Sequence, residues 1–368
     1  MRRLVAVPAV PGPRLYHALR AALAGTGPAV LPVSADPAEA ARVLAALRPD
    51  EPLEDDEICL VVPTSGSTGE PKGVQLTAAC LRASGAAAVE RLGGPAAWLL
   101  ALPVTHIGGL QVVLRALAAG AEPVERGHAD SFLAATDRLP AGRRCTSLVP
   151  TQLRRLLASA PDALATYDAV LVGAAATPAG LLAQARAAGV RTVPTYGMSE
   201  TSGGCVYDGV PLEGVQVGFD GAARIRLTGA VVARGYRLRP DLPGFAGDTF
   251  STGDVGSLDP GGRLVVVGRA DDLVVTGGEK VAPAAVEAAL AEHPSVVDVA
   301  VVGVPDEEWG QRVVAAVVLR APLSLGEARE HVAARVARFA APRELRVLDA
   351  MPMLPTGKID RNALRSSL

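Results

Sequence analysis

Between residues 58 and 195 short apolar runs alternate with longer helical stretches. This confines the middle of the chain to a mostly parallel sheet with helices on its faces. Ile58–Val62 is an unbroken apolar run of buried-strand length. Thr77 is placed to cap a helix that reaches about Leu92. Trp98–Leu102 reads as the next strand, followed by a helix near Leu110–Ala119. Cys145–Val149, Ala169–Val172 and Thr192–Thr195 read as further strands with helices between them. From Val215 to Val267 the pattern changes to short strands and Gly/Pro turns, as in a small antiparallel barrel or sheet. Past Asp272 a compact β/α mixture follows: a helix over Pro283–Glu292, strands over Val296–Val302 and Arg312–Leu319, a helix near Leu325–Arg338 and a last strand over Glu344–Leu348. The first 57 residues read as one strand, one or two Ala-rich helices and an acidic linker, Glu54-Asp55-Asp56-Glu57. The expectation is an α/β protein with a boundary at Arg269–Asp272, so that residues 1–270 form a large domain and 271–368 a smaller α+β domain.

Composition narrows the function classes. At 368 residues the chain is long enough for two or three domains. Hydrophobic residues make up 49% and charged residues 20%, as in a soluble globular protein. A net charge of -2 gives no electrostatic case for nucleic acid or an anionic membrane. No run approaches the roughly 18 apolar residues of a membrane helix. Pro8, Pro11 and Pro13 break the apolar stretch behind Met1-Arg2-Arg3, which argues against a signal peptide. The four cysteines show no CxxC spacing, and Cys59 and Cys145 lie in strand-like apolar runs. The expected location is therefore the reducing cytoplasm. Of the 36 basic residues only three are lysines, Lys72, Lys280 and Lys358, and all three stand in Gly- or Pro-marked loops. A chain that uses arginine for nearly every surface cation has reason to keep lysine where a compact point charge is needed. Lys72 and Lys358 are the stronger candidates, and Lys280 the weaker.

The most informative motif is Thr64-Ser65-Gly66-Ser67-Thr68-Gly69-Glu70-Pro71-Lys72-Gly73, directly behind a strand. Hydroxyls and glycine amides can wrap phosphate oxygens, and Lys72 adds charge. It is not a Walker A loop, because Pro71 stands where that motif needs Gly and Gly73 where it needs a metal-binding hydroxyl. Tyr196-Gly197-Met198-Ser199-Glu200-Thr201 follows another strand. It offers an aromatic face for a base and a carboxylate for Mg²⁺. Asp254, in Ser251-Thr252-Gly253-Asp254, can hold a ribose diol. Gly268-Arg269-Ala270-Asp271-Asp272, Gly277-Gly278-Glu279-Lys280 and Pro355-Thr356-Gly357-Lys358-Ile359-Asp360-Arg361 complete the series. Taken singly, each is a plausible loop; their order and content together are specific.

In these motifs the chain resembles the adenylate-forming superfamily of acyl-CoA synthetases, luciferases and peptide-synthetase adenylation domains, from about Ile58 to Arg365. The resemblance implies a two-step reaction. ATP and a carboxylate give acyl-AMP and pyrophosphate, and CoA or another thiol then takes the acyl group. It also implies roles by matching position. Thr64 and the loop residues Ser65, Gly66, Ser67, Thr68, Gly69 and Lys72 would hold the β- and γ-phosphates. Tyr196, Gly197, Met198 and Ser199 would line the adenine site, and Glu200 would bind Mg²⁺. Asp254 and Arg269 would hold the ribose, and Lys358 would bridge the reacting carboxylate and the α-phosphate. Asp271 would be the hinge on which a smaller, mobile C-terminal domain swings between the half-reactions. One departure is clear: the phosphate loop begins at Thr64, roughly a hundred residues earlier than is usual in the family, so the first N-terminal subdomain is expected to be shortened.

His106, in Leu102-Pro103-Val104-Thr105-His106-Ile107-Gly108-Gly109, occupies the position of the family's acyl pocket. Ile107 and Gly108 supply no Asp for a substrate ammonium, which argues against an amino acid. Ser202, Gly203 and Gly204 extend the pocket; glycines admit a ligand close to the backbone, and Ser202 can donate to a carboxylate. With the short length, these segments look like the o-succinylbenzoate–CoA ligases of menaquinone biosynthesis in high-GC Gram-positive bacteria. The partners implied are o-succinylbenzoate, ATP and CoA, with homo-oligomerisation left open. Another aryl- or acyl-CoA ligase, and a non-catalytic nucleotide-binding protein on the same fold, remain as alternatives.

Overall fold

The computed structural model describes residues 2–65, 70–127, 131–353 and 359–367, with only the backbone of Ser65. Two sheets stack in the first half of the chain. One has the order Leu4–Pro8, Ala29–Val33, Ile58–Ser65, Pro71–Thr77, Gly235–Tyr236; its first three strands are parallel and its last two antiparallel. The other is seven-stranded. Its centre, Ala97–Leu100, Arg144–Leu148, Ala169–Val172 and Thr192–Met198, is parallel throughout, as the alternation requires. Gly203–Tyr207 is added antiparallel to Thr192–Met198. The main core lies between these sheets, around the helices Pro13–Leu23, Ala78–Arg91 and Ile107–Ala118. Thr77 caps the middle helix through its hydroxyl on the Cys80 N–H, and Leu92 ends it. All four cysteines are buried free thiols.

The segment from Gln216 to Arg269 is antiparallel and forms an open five-stranded sheet. Beyond Val274 the chain builds its own sheet, Glu279–Val281, Val274–Thr276, Gly310–Leu319 and Val296–Asp306. Glu344–Val347 lies parallel to Gly310–Leu319. Its two apolar clusters contain no residue before Val274.

Two expectations for the first 57 residues need correction. There is a second strand, Ala29–Val33, parallel to Leu4–Pro8. And the acidic stretch is not a linker. Arg237, only 1% exposed, sends its guanidinium into the loop after the helix Pro37–Leu47. There it donates to the carbonyls of Leu47, Arg48, Glu51 and Pro52 and to the Glu54 carboxylate, each at 2.8–2.9 Å. Glu54 also accepts from the Leu238 N–H and the Gln75 amide, while Arg234 pairs with Asp55 and Glu57. The acidic run is therefore a clasp around two arginines that flank Gly235–Tyr236. A buried guanidinium is tolerated because every part of it meets an oxygen. Among the described residues no helix is long and apolar enough to cross a membrane.

Candidate active site

The strand Ile58–Ser65 does not lead into a helix. It turns back as Pro71–Thr77 in an antiparallel hairpin, with Pro63 opposite Gly73 and Thr64 opposite Lys72. The two strands thus fix both ends of the hydroxyl- and glycine-rich segment. Gly66, Ser67, Thr68 and Gly69 lie outside the described residues. Thr64 is half-buried, and its hydroxyl donates weakly to the Lys72 carbonyl at 3.4 Å. Gly73 is closely packed: a Cβ there would stand 2.8 Å from the side-chain methyls of both Leu47 and Val61, which would have to shift.

Two runs of side-chain contacts meet at the stretch Thr192–Thr201. The Lys72 ammonium lies 5.6 Å from the centre of the Tyr236 ring, a cation–π distance. The Tyr236 hydroxyl donates to Glu200 Oε1 at 2.8 Å. Glu200 sits in the short 3₁₀ turn Ser199–Thr201, directly after the strand that carries Tyr196. The Tyr196 hydroxyl donates to Asp254 Oδ2 at 2.8 Å. Arg269, opposite Asp254 in the ladder, brings its guanidinium to 3.7 Å from Asp254 Oδ1 and 3.6 Å from Asp271. That guanidinium covers Gly253, where a Cβ would meet it at 2.5 Å. Burial and the neighbouring carboxylates raise both tyrosine hydroxyls well above the ordinary phenol range, so both remain donors. Two chains of contacts, Lys72–Tyr236–Glu200 and Tyr196–Asp254–Arg269, are thereby joined through the backbone between Tyr196 and Glu200. Tyr236 was not anticipated.

The turn that holds Glu200 is tightly specified. Gly197 has φ 154°, and a Cβ there would lie 2.2 Å from the Gly203 carbonyl. Met198 pairs with Gly203, and Gly197 with Gly204, across the hairpin. The Thr201 hydroxyl accepts from the Met198 N–H and bonds the Gly203 carbonyl. Ser202 occupies the left-handed region at φ 56° and is fully buried. Its single hydroxyl proton goes to the Val231 carbonyl at 2.7 Å. In this structure the proton expected to serve a substrate carboxylate joins two segments of the site.

His106 is exposed at the N-terminus of the helix Ile107–Ala118, with its Nδ1 2.8 Å from the Thr105 hydroxyl. The only polar side chains in that helix are Gln111 and Arg115, one turn apart, and both are buried. Gln111 donates to the Ser202 carbonyl, which Ser84 also reaches. Arg115 stacks at 5.3 Å over Trp98 and donates to the Tyr207 hydroxyl at 3.2 Å. Its Nε has no partner, and no carboxylate of the described residues pairs with it. A buried guanidinium without an anion is costly. It is the second residue that sequence reasoning missed. The available signal was a charge inside an otherwise apolar helix.

No group of three or more His, Cys, Asp or Glu among the described residues could hold a metal. A single half-buried carboxylate such as Glu200 suits Mg²⁺, which takes one or two protein carboxylates and completes its shell with water and phosphate oxygens. Burial pushes the thiols of Cys59 and Cys205 up to about 12 and that of Cys145 up to about 11, so none of these is a nucleophile. Lys358 lies outside the described residues.

Residues 17–236 match the family model described as AMP-binding enzyme, and 285–358 the model for the AMP-binding enzyme C-terminal domain. The chain is 48% identical to the "Probable 2-succinylbenzoate--CoA ligase" of Mycobacterium tuberculosis, over 95% of this chain and 94% of that protein. It is 31% identical to the 2-succinylbenzoate--CoA ligase of Bacillus subtilis, over 86% of this chain and 70% of the relative. The solved o-succinylbenzoate CoA synthetase of Bacillus subtilis in complex with its acyl-adenylate intermediate superposes with a TM-score of 0.76 at 30% identity, covering 84% of this chain and 69% of that one. An Escherichia coli MenE variant with bound OSB-AMS gives 0.77 at 30% identity, covering 100% and 87%.

Proposed function

The chain belongs to the AMP-binding enzyme family, and from that premise we propose that it is an ATP-dependent acid–thiol ligase that makes o-succinylbenzoyl-AMP and then o-succinylbenzoyl-CoA. The observation that supports the reading is a pair of contact chains, Lys72–Tyr236–Glu200 and Tyr196–Asp254–Arg269, joined through the backbone of the strand Thr192–Met198 and the turn Ser199–Thr201. Together they offer the cation, carboxylate, aromatic face and ribose-binding acid that a bound nucleoside triphosphate calls for. Lys72 and the Thr64–Gly73 hairpin serve the β- and γ-phosphates. Glu200, held by Tyr236, serves Mg²⁺, which supplies charge neutralisation at the phosphates when bound. The Tyr196 ring packs on adenine, and Asp254 and Arg269 serve the ribose. A solved Bacillus subtilis relative binds ATP and magnesium ion, which supports this assignment.

In the first half-reaction a carboxylate oxygen attacks the α-phosphorus and pyrophosphate leaves. Lys358 supplies the charge that bridges the two reactants. In the second, a thiolate attacks the acyl carbon and AMP leaves. The acceptor is external, since the four cysteines are buried, and the naming of the relatives as CoA ligases supports CoA as the thiol. Residues 271–368 form the smaller domain in this reading, with Asp271 as its hinge.

The acid is o-succinylbenzoate. Its succinyl carboxylate is activated and its ring carboxylate remains a fixed anion. Arg115, buried and without an acidic partner, is the cation suited to that anion. It lies one turn beyond Gln111, which reaches the Ser202–Gly204 segment. A cytoplasmic location belongs to the same reading and agrees with four unpaired thiols. Pyrophosphate release screened over a panel of acids tests it. o-Succinylbenzoate should stand above benzoates and medium-chain fatty acids, and a flat profile would favour a general aryl-CoA ligase.

A further inference from the structure

The segment that carries Lys358 is bracketed by paired residues. Met353 bridges Ile359 in antiparallel fashion, and the Asp360 N–H donates to the Pro352 carbonyl at 2.8 Å. The helix Arg361–Ser366 follows, capped by Asp360 on the N–H groups of Asn362 and Ala363. Met351, Ile359 and Leu364 pack on Ala300, Val302, Val314 and Ala316, so apolar contact lays the base of the segment on the C-terminal sheet.

One polar contact fixes where along the sheet that base sits. Val296–Asp306 is an edge strand, so Val301 turns its backbone N–H and C=O outward. Glu287, from the helix Pro283–Ala291, accepts from the Val301 N–H at 2.7 Å. Arg361 donates to the Val301 carbonyl at 2.7 Å, and Arg361 and Glu287 pair with each other at 2.7 Å. The three groups close a ring. Apolar packing tolerates sliding, whereas a ring of three short, charge-assisted bonds has one register. Burial raises the Glu287 carboxyl above its ordinary range, while Arg361 and the Val301 N–H oppose that rise.

We propose that the Glu287–Arg361 pair, locked on the backbone of Val301, positions Lys358 for adenylate formation, so that Glu287 and Arg361 are positioning residues for the first half-reaction. Arg361 is three residues from Lys358 and carries a polar bond from that part of the chain to the sheet; the Met353–Ile359 bridge joins the two sides of the segment to each other, and Arg365 pairs with Asp272, outside the sheet, at 3.2 Å. The inference rests on the reading of Lys358 as the lysine of adenylation.

A double-mutant cycle tests it in the full-length enzyme. Glu287→Gln and Arg361→Lys should each lower kcat for pyrophosphate release about tenfold or more. KM for ATP and acyl transfer from supplied acyl-AMP should stay within about twofold. On Lys358→Ala the same substitutions should cost less than about twofold further, because they act through that lysine. Equal loss in both half-reactions, full additivity on Lys358→Ala, or wild-type pyrophosphate release in both variants would overturn the anchor. Undiminished pyrophosphate release by Lys358→Ala alone would instead overturn the lysine reading. Arg361→Lys keeps the charge, and thermal melting identifies any variant that loses activity by unfolding.

Discussion

Tyr236 donates its hydroxyl proton to Glu200 across 36 residues of sequence, at 2.8 Å, while the face of the same ring lies 5.6 Å from the Lys72 ammonium. One side chain thus touches both the group assigned to the metal and the group assigned to the phosphates. It is itself placed by the pairing of Gly235–Tyr236 with Val74 and Gln75, and by the buried Arg237 beside it.

Tyr236→Phe separates these two contacts, since it keeps the ring and removes the hydroxyl. Groups that orient a metal ligand are commonly worth 10–100-fold in affinity or activity. The half-maximal Mg²⁺ concentration for pyrophosphate release should therefore rise roughly tenfold, with the affinity for the acid unchanged. An unaltered magnesium dependence would show that Tyr236 has no hold on the metal site.

Lys358→Ala should abolish most acyl-AMP formation while thioester formation from synthetic acyl-AMP survives, because the ammonium charge is needed only while the carboxylate attacks phosphorus. Lys358→Arg should also be poor, since a forked guanidinium does not replace a point charge. Parallel loss in both half-reactions would remove the role.

Asp271→Pro should do the reverse: acyl-AMP forms and accumulates, and transfer to CoA falls, because proline restricts φ at the hinge. The substitution also removes the 3.6 Å contact with Arg269. Asp271 is 77% exposed there, and such pairs contribute about 0–1 kcal/mol. Asp271→Ala loses that contact without the restriction and should transfer normally. Wild-type transfer by Asp271→Pro would move the hinge elsewhere.

The parallel sheet was legible where a strand is a short apolar run between turn signals: Ala169–Val172 matches to the residue and Cys145–Val149 to within one at each end. Ala29–Val33 was missed because Pro32 reads as a breaker. It is tolerated because the pairing to the neighbouring strand is confined to Val30 opposite Leu60. The contacts that the motif residues make were not legible. Glu54 meets Arg237 across 183 residues and Tyr196 meets Asp254 across 58, and no local pattern encodes such pairings. Ser202 was hidden for a related reason: a serine among glycines looks available, and only the fold shows its bond to the Val231 carbonyl.

In the proposed reading the choice of acid rests on a group that sequence reasoning passed over. o-Succinylbenzoate keeps its ring carboxylate throughout the reaction, and a site built for that anion leaves its own donors unpaired when the anion is missing. The penalty is about 2–4 kcal/mol, or roughly thirty- to a thousand-fold in kcat/KM. 4-Oxo-4-phenylbutanoate, which lacks only that carboxylate, should be worse than o-succinylbenzoate by this margin. The same reasoning names the residue. Arg115 is buried, stacked on Trp98 and bonded to Tyr207, with an Nε that has no partner. Arg115→Met fills a similar volume and removes the charge. Replacing an unpaired buried cation with an apolar side chain should leave the melting temperature unchanged or raise it. The variant should lose o-succinylbenzoate activity and keep the low activity toward the keto acid, so the gap between the two acids closes to within a few-fold. Ser202→Ala, by contrast, should lower kcat/KM for both acids alike, since its hydroxyl serves the Val231 carbonyl. The measurement is kcat/KM for each acid at saturating ATP and CoA. A gap that persists in Arg115→Met would detach Arg115 from the acid, and equal values for the two acids in the wild type would replace o-succinylbenzoate with a broader class of aryl acids.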